Sequence, residues 1–492
     1  MPSILALDQG TTGSTALLVH QDGSVLGRGY REFGQHYPEP GWVEHDPEEI
    51  LRVSLEAMRE ALAGAGERPA GIGITNQRET VVLWDRRTLA PVAPAIVWQD
   101  RRTSDRCREL RESGLETLLR ERTGLVADPY FSGTKLEWLL RDPDIRRRAG
   151  RGELAAGTVE SWLVARLTGG RVHVTDHTNA SRTLLYNLGT RAWDPDLLRL
   201  FGVPAELLPA IVPSAGTVAE TDPEHLGISL PIAGLAGDQQ AALFGQGCCR
   251  EGLAKNTYGT GAFLLVFTGQ HHPVPPHGIL ATAACGPLGE PAYALEGSVF
   301  SAGAAVQWLR DGLGLIQAAA ETDALARSVP DTGGVHFVPA FVGLGTPHWE
   351  AEARGTITGL TRGTSRAHLV RAALEAMAFS TAELLAAMAG AGGLEVPALR
   401  VDGGAAANDW LMQFQADVLG VAVERPDMVE TTALGAAGLA GIALGIWRGT
   451  DEFLAGRRFR RFVPAVGAAE RAALGRGWER AVRAALAWAR GA

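Results

Sequence analysis

The chain has 492 residues, of which 46% are hydrophobic and 21% charged, a globular composition with room for roughly two to four domains. Its net charge of −9 argues against a general nucleic-acid or anionic-membrane binder but leaves a nucleotide substrate possible. Four cysteines without a C-x-x-C pair indicate neither a zinc site nor a disulfide scaffold. The first residues lack signal-peptide features and no apolar run reaches membrane-spanning length, so we expect a cytoplasmic protein.

The first segment predicts three short strands, over residues 4–7, 15–19 and 24–30, joined by tight turns in an antiparallel meander. The turn Asp8–Ser14 places an Asp at the end of a strand and follows it with Gly, Thr and Ser. Backbone amides and hydroxyls of such a turn can bind phosphate oxygens, while the Asp8 carboxylate reaches a phosphate-bound Mg²⁺. A purely structural hairpin would use the same residues, so this turn alone does not distinguish phosphate binding from a structural role.

A helix is then predicted to begin at Pro47, with Asp46 as its N-cap. Arg78 and Glu79 follow the next apolar strand, and adjacent opposite charges there supply donors and acceptors for vicinal hydroxyls. A surface ion pair, which contributes little to stability, is the alternative. Further helices are predicted over 101–121, 153–167, 302–313, 365–388, 409–419, 431–444 and 468–490.

The middle of the chain repeats part of this pattern. Asp238 follows a continuous apolar strand, where its carboxylate could accept the proton of an alcohol that attacks ATP. A helix N-cap is the alternative for Asp238. Residues 257–261 form a second Gly/Thr turn between strand-like runs, so strand, turn and strand recur as a weak internal repeat with a boundary near 245–253.

Two small-residue segments complete the pattern in the C-terminal half. Gly403 and Gly404 stand between a strand and a helix, where glycines let a nucleotide approach the backbone. The segment 431–444 is rich in Gly and Ala, which suits a closely packed helix. The order of hairpin, charged loop, Asp, second hairpin and Gly-Gly turn is typical of two-domain ATPases of the actin and sugar-kinase type.

Long strings of the sequence resemble the FGGY carbohydrate kinase family, from Ala6 to about Trp488; they include LDQGTT, YPEPGWVEHDP, GITNQRET, AIVWQDRRT, DPYFSGTK, AGDQQAALFGQ, AKNTYGTG and RVDGGAAAN. The resemblance implies an α/β, two-domain, actin-like (ribonuclease H-like) fold. Each domain is expected to be a mixed sheet flanked by helices, with the active site in the interdomain cleft. The N-terminal domain is expected over 1–248 and the C-terminal domain over 249–492.

NQRET and AIVWQDRRT are similar to the segments of the glycerol-phosphorylating members. The implied activity is ATP- and Mg²⁺-dependent phosphorylation of glycerol to sn-glycerol 3-phosphate by direct in-line transfer, in glycerol uptake and catabolism. A homo-oligomer, dimer or tetramer, is expected. Another small polyol or triose, such as dihydroxyacetone or erythritol, is an alternative substrate, and an actin-like ATPase without kinase activity is a remoter alternative.

The resemblance also implies the site residues. Those expected to bind glycerol are Arg78, Glu79, Trp98, Tyr130, Asp238, Gln239 and Phe263. Asp238 is the expected catalytic base, while Trp98 and Phe263 are expected to cover the carbon backbone as aromatic walls. Those expected to bind ATP are Thr11, Thr12, Gly13, Thr260, Gly261, Gly303, Gln307, Gly404 and Asn408. Asp8 is expected to help hold Mg²⁺.

Three positions depart from the family pattern. Gly13 stands where many members have Ser, and Thr15 where they have Arg. The first turn thus lacks a hydroxyl and a guanidinium that could stabilise phosphate charge, so we expect altered ATP affinity or rate. Ser229 replaces an Arg found in bacterial members that fructose 1,6-bisphosphate inhibits, which argues against that inhibition here.

Overall fold

The computed structural model describes residues 2–63, 66, 68–275, 278–350, 352–428 and 430–491. In the first half of the chain its strands are β1 (Ser3–Gln9), β2 (Gly13–His20), β3 (Val25–Glu32), β4 (Glu44–His45), β5 (Gly71–Asn76), β6 (Val81–Asp85), β7 (Ala95–Ile96), β8 (Leu154–Thr158), β9 (Val174–Asp176), β10 (Tyr186–Asn187), β11 (Ala192–Trp193), β12 (Ala210–Val212), β13 (Ala215–Glu220) and β14 (Pro231–Gly237). In the second half they are β15 (Ala254–Tyr258), β16 (Ala262–Gly269), β17 (Leu280–Cys285), β18 (Pro291–Val299), β19 (His336–Val338), β20 (Thr356–Thr358), β21 (Ala398–Asp402), β22 (Ala422–Pro426) and β23 (Phe459–Phe462).

The α-helices lie between these strands, singly or in groups such as α2 to α5. Those in the first half are α1 (Pro47–Ala63), α2 (Ser104–Glu112), α3 (Glu116–Thr123), α4 (Ser132–Leu139), α5 (Pro143–Gly150), α6 (Val159–Leu167), α7 (His177–Ala180), α8 (Pro195–Phe201), α9 (Pro223–Leu226) and α10 (Asp238–Gly245). Those in the second half are α11 (Gly303–Gln307), α12 (Glu321–Arg327), α13 (Arg366–Gly392), α14 (Asp409–Leu419), α15 (Thr431–Ala443), α16 (Thr450–Phe453) and α17 (Ala468–Ala489).

Two large mixed sheets organise the molecule, one in each half of the chain. The first has the order β13-β14-β5-β1-β2-β3, and the second the order β17-β18-β16-β15-β21-β22-β23. In the first sheet the hairpin β1–β2 is extended by β5 and β14, both parallel to β1. In the second sheet the hairpin β15–β16 is extended by β21 and β22, both parallel to β15. The expected α/β architecture of two mixed sheets is confirmed, and the internal repeat is a repeat of topology.

The strand β1 carries apolar side chains on both faces of the first sheet. Helices therefore cover both faces. Leu5 and Leu7 of β1 pack in one buried cluster with α1. Ile4 and Ala6 pack in another with α15, which belongs to the second half of the chain. The small residues of α15 allow a close approach, because a Cβ at Gly435 would stand 1.8 Å from a carbonyl oxygen of α10.

Three predicted helices differ in the structure. The segment 101–121 forms two helices, α2 and α3, because the chain turns at Gly114 with a φ of 78° that favours glycine. The segment 153–167 begins with strand β8, which pairs with β6 along its whole length before α6 starts. The segment 302–313 is a short helix followed by a π-helical turn over Trp308–Gly312.

Helix α13 is the longest in the described part of the chain. A stretch of it, Arg366–Gly390, meets the length and composition of a membrane-crossing helix, and 67% of its most apolar window is buried inside the molecule. It packs against α12, α14, β16 and β18. That environment is typical of a core helix, in which apolar residues face neighbouring elements all round.

Candidate active site

The parallel strands of the first sheet bring three polar turns to one edge. Gln9 at the end of β1 and Gly237 at the end of β14 both pair with Asn76 at the end of β5. Parallel strands that end in register place their following residues side by side, and ligands of open α/β sheets bind at that edge. The Asp8 region, the Arg78–Glu79 pair and Asp238 therefore lie together.

Asp238 is the first residue of α10, and Gly237 holds the cap position without a side-chain cap bond, so the N-cap alternative is wrong. Its Oδ1 accepts the N–H of Gln239 at 2.7 Å and lies 3.3 Å from Nε of Arg78. Oδ2 takes part in neither contact, and the side chain is 28% exposed to the cleft. Burial raises the pKa of Asp238 against the opposing charges of Arg78 and Lys255, which makes the carboxylate a stronger base than an ordinary Asp.

Arg78 and Glu79 are buried, with side chains 2% and 1% exposed, so the surface-pair alternative is wrong. The Nη2 of Arg78 donates to the hydroxyl of Tyr130 at 3.4 Å. Glu79 has a φ of 62°, a left-handed conformation that non-glycine residues rarely adopt. Such strain persists where the surroundings hold a residue in place, and it is concentrated at functional sites.

Aromatic rings stand beside this charged pair. The rings of Trp98 and Tyr130 meet edge to face, with centroids 5.5 Å apart. The Nε1–H of Trp98 donates to Oγ1 of Thr11 at 2.9 Å, so the Thr11 hydroxyl keeps its own proton for another acceptor. Phe263 comes from the second sheet, where it pairs with Thr257 across the hairpin β15–β16.

The first Gly/Thr turn is closed by the N–H of Gly10, which donates to the carbonyl of Gly13 at 2.9 Å. The N–H groups of Thr11 and Thr12 donate to no group within the described part of the chain. Two adjacent amide donors of this kind form an anion-binding turn. At Gly13 a Cβ would stand 2.9 Å from the hydroxyl oxygen of Tyr30, so that phenol lies where a longer side chain would go.

The second turn has the same closure, since the N–H of Gly259 donates to the carbonyl of Gly261 at 2.8 Å. The carbonyl of Thr260 accepts the N–H groups of Ala302 and Ala304 at the start of α11. Gly303 lies between them, where a Cβ would stand 2.5 Å from the Gly259 carbonyl oxygen. The structure thus brings together Thr260, Gly261 and Gly303, and it places Gln307 exposed at the end of the same helix.

Gly404 lies farther along the second sheet, beyond the end of β21. It lines an open cavity of about 680 Å³ together with Ala407, Arg425 and Arg460. Asn408 caps α14: its side-chain oxygen accepts the N–H of Leu411 at 2.9 Å. Among the described residues, no hydrogen bond or ion pair joins Gly303, Gln307, Gly404 or Asn408 to the first half of the chain.

Asp8 has the environment expected of a magnesium ligand. Burial and the negative charge of Asp238 raise the pKa of Asp8 to about 7. A divalent cation at this edge would offset that repulsion. Within the described ranges, no group of three or more His, Cys, Asp or Glu side chains could hold a metal alone. This fits Mg²⁺, which binds through one or two carboxylates, water and substrate phosphates.

Sequence analysis missed four charged residues around the site. Arg182 and Glu296 are fully buried against Arg78 and Glu79. The only two lysines, Lys135 and Lys255, are also fully buried. Lys135 donates to the Tyr130 carbonyl at 2.6 Å, and Lys255 donates to the side chain of Gln239. For Lys255 and Glu296 the signal available in the sequence was a lone charge within an apolar strand, since a buried charge needs a partner. Arg182 lies in a turn and Lys135 in α4, where no such pattern marks them.

Comparisons with known proteins bear on the family and fold of the chain. A model of the N-terminal domain of the FGGY family of carbohydrate kinases matches residues 3–245, and one of its C-terminal domain matches 254–444. Glycerol kinase of Carboxydothermus hydrogenoformans is 55% identical over 491 residues, covering 99% of this chain and 98% of its own. Glycerol kinase of Leptothrix cholodnii is 56% identical over 496 residues, covering 99% and 100%. The structure of Plasmodium falciparum glycerol kinase with ADP is similar, with a TM-score of 0.94 and 36% identity, covering 99% of this chain and 98% of that one.

Proposed function

The chain belongs to the FGGY family of carbohydrate kinases, and from that membership we infer that it transfers the γ-phosphoryl group of ATP to glycerol and forms sn-glycerol 3-phosphate. The observation that carries this inference is 55% identity to glycerol kinases over nearly the whole length of both chains. The pairing of Arg78 and Glu79 with an Asp base and aromatic rings in one cleft supports a small polyhydroxy substrate.

We propose that Asp238 is the general base of direct in-line transfer. Its Oδ2 accepts the proton of a terminal glycerol hydroxyl while Arg78 and the Gln239 N–H hold Oδ1. Arg78 and Glu79 bind the other hydroxyls, and Trp98 covers the carbon backbone. The proton moves to the carboxylate as the hydroxyl oxygen bonds to the γ-phosphorus and the bond to the β-phosphate oxygen breaks.

The two Gly/Thr turns bind the phosphates from opposite sides of the cleft. The amides of Thr11 and Thr12 donate from the first domain, and those of Thr260 and Gly261 from the second. Asp8 would help to hold Mg²⁺, which would neutralise phosphate charge when bound. Closure of the cleft excludes water, which would otherwise compete with glycerol for the γ-phosphoryl group.

The test is ATP- and glycerol-dependent formation of glycerol 3-phosphate by the wild type and by Asp238→Asn. We expect Asp238→Asn to lose about a hundredfold or more in kcat, because the amide cannot accept the proton. Its folding is checked by thermal denaturation. A wild type without product, or an undiminished Asp238→Asn, would refute the proposal.

Substrate choice among small polyols is tested separately. We propose that Arg78 and Glu79 bind adjacent hydroxyls of the substrate. Dihydroxyacetone has no adjacent hydroxyls, because a carbonyl separates its two hydroxyl groups, and erythritol carries them on a longer chain. We expect kcat/KM to be highest for glycerol among glycerol, dihydroxyacetone, glyceraldehyde and erythritol. A higher value for any other compound would reassign the substrate.

We propose that fructose 1,6-bisphosphate does not inhibit through the Ser229 region. The Ser229 hydroxyl donates to the Glu220 carboxylate at 2.8 Å, and that negative charge would repel a bisphosphate. We expect unchanged kinase activity with the bisphosphate added, and clear inhibition would contradict this. A cytoplasmic location, a homo-oligomeric state and a domain boundary at 248/249 complete the proposal, and gel filtration with light scattering tests the oligomer.

A further inference from the structure

Four charged side chains form a buried quartet between the two domains: Arg78, Glu79, Arg182 and Glu296. Glu296, on β18 of the second domain, accepts from Nη1 and Nη2 of Arg78 at 2.6 and 3.0 Å. It also accepts from Nη2 of Arg182 at 2.9 Å. Arg182 in turn donates from Nε to Glu79 at 2.6 Å. None of the four side chains is more than 2% exposed.

The quartet is electrically neutral, and each member depends on the others. Two guanidinium groups face two carboxylates, so removal of one carboxylate leaves a buried positive charge unpaired, which is strongly unfavourable. Arg182 has no hydrogen-bond partner for Nη1 among the described residues. Its Nε and Nη2 pair with Glu79 and Glu296, and its guanidinium lies over the rings of Tyr130 and Phe131.

A role in domain adhesion alone does not account for the quartet. Apolar residues of similar volume would hold two domains together at least as well as buried ion pairs. Three members of the quartet belong to the first domain, and two of these lie at the candidate site: Arg78, which also contacts Asp238, and Glu79, whose φ of 62° requires support. The quartet thus fixes the side chains that meet the substrate.

We propose that Glu296 and Arg182 are positioning residues for glycerol phosphorylation, and that Glu296 makes the geometry of Arg78 and Glu79 depend on docking of the second domain. This rests on the proposed function of the site. Because Glu296 reaches across the cleft from the nucleotide-binding domain, glycerol binds well only when the two domains are docked. The same contact prevents Arg78 from turning fully onto the carboxylate of Asp238, which lies 3.3 Å from its Nε.

The test is steady-state kinetics of Glu296→Gln for both substrates. Loss of charge-assisted hydrogen bonds to Arg78 predicts a rise in KM for glycerol of about ten- to a hundredfold. KM for ATP is expected to stay within about twofold, because the ATP-binding turns do not touch Glu296. Stabilisation of the protein by added glycerol in thermal denaturation, a readout independent of turnover, is expected to need correspondingly more glycerol.

Glu375→Gln is the matched control. Glu375 is also a buried carboxylate of the second domain, paired with Arg371 at 2.9 Å, and its partner lies on its own helix α13. We expect KM for glycerol to be unchanged in this variant. If Glu296→Gln does not fold, Glu296→Asp carries the test, because it keeps the charge on a shorter side chain and predicts a smaller rise in KM for glycerol.

An unchanged KM for glycerol in the Glu296 variant, or equal rises in KM for glycerol and ATP, would overturn the proposal. So would a rise of the same size in Glu375→Gln. A wild type that forms no glycerol 3-phosphate refutes the proposed function instead, and that result is recognised before any substitution is made.

Discussion

Gly13 is coupled to Tyr30, a residue outside the phosphate turn. The strand register places Thr15 between Asp8 on β1 and Tyr30 on β3, so the three side chains share one face of the sheet. Tyr30 is 44% exposed, and its ring covers the space above Gly13. The space that a side chain would fill at position 13 is thus taken by an aromatic ring from the third strand, and the same Tyr30 is the cross-strand neighbour of Thr15.

This coupling predicts that Gly13→Ser does not simply restore the common turn. The new Cβ would stand 2.9 Å from Tyr30 ring and hydroxyl atoms and 2.7 Å from the Arg31 carbonyl oxygen, so the turn must shift. We expect a higher KM for ATP in Gly13→Ser and partial recovery in Gly13→Ser/Tyr30→Ala, with a coupling free energy of about 1 kcal/mol. If the effects of Gly13→Ser and Tyr30→Ala on KM for ATP are additive in the double variant, the two residues are not coupled.

Glu160 gives a prediction for the pH dependence of stability. This carboxyl is fully buried and accepts hydroxyls of Thr158 and Thr175, and burial with the nearby charge of Asp176 raises its pKa from 4.5 to about 7. The native state therefore favours the protonated acid: the stability from this group is complete below about pH 4.5 and is lost as pH rises through about 7.

Glu160→Gln removes this ionisation. We expect the free energy of unfolding of the variant to rise relative to wild type between pH 5 and pH 8, by up to about 3 kcal/mol. Urea denaturation at several pH values measures the difference. A difference that stays constant over that range would contradict the assigned pKa.

At the residue scale, the sequence predicts the candidate site residues that lie within motifs. It does not predict the buried charged residues that contact them. Asp238, Arg78 and Glu79 follow apolar strands, and that placement is visible in the sequence. Arg182 and Glu296 are more than a hundred residues apart and meet only because β18 of one domain docks beside the first domain. No local pattern encodes a contact that domain docking creates.

At the scale of elements, the contact of α10 with α15 joins the two halves of the chain beside Asp238, the proposed base. Gly435 of α15 faces the Ala241 carbonyl of α10, and Gly73 of β5 faces the Ala436 carbonyl of α15. Helices approach this closely only where one side has no Cβ. Because α10 begins at Asp238, the packing of α10 against α15 also sets the position of this proposed base.

Gly435→Ala is therefore expected to destabilise the protein by at least about 2 kcal/mol and to lower kcat, because the added Cβ forces α10 away from α15. Gly475→Ala in α17 is the matched control: a Cβ there meets nothing within 4 Å. The control should gain about 0.5–1 kcal/mol, since Ala is the better helix former. Equal effects of the two substitutions on thermal stability would contradict the close contact.

Elements with a regular local pattern are predicted well from the sequence. Elements whose conformation depends on pairing with a distant segment are not. The hairpin β1–β2 and the helices α1, α14 and α17 follow from turns, caps and periodicity. The residues Leu154–Thr158 have no strict alternation, so the sequence predicts helix there, whereas pairing with β6 makes the segment strand β8. The close packing of α15 was predicted from its Gly and Ala content, but its position against the first sheet was not.

At the scale of the whole molecule, two repeats of one topology face each other across a cleft. Each supplies a Gly/Thr turn that can bind phosphate, while the proposed base and the proposed polyol-binding pair belong to the first. The buried quartet and the α10–α15 contact join the two repeats. Phosphoryl transfer to glycerol in preference to water follows from this arrangement, because both substrates must lie between domains that exclude solvent.

The most direct test of this account is phosphorus NMR of ATP incubated with the wild-type protein and Mg²⁺, with and without glycerol. We predict that glycerol brings equimolar ADP and sn-glycerol 3-phosphate, and that without glycerol little inorganic phosphate forms. Release of inorganic phosphate that is independent of glycerol, with no phosphate ester, would contradict the account and identify an ATPase that is not a glycerol kinase.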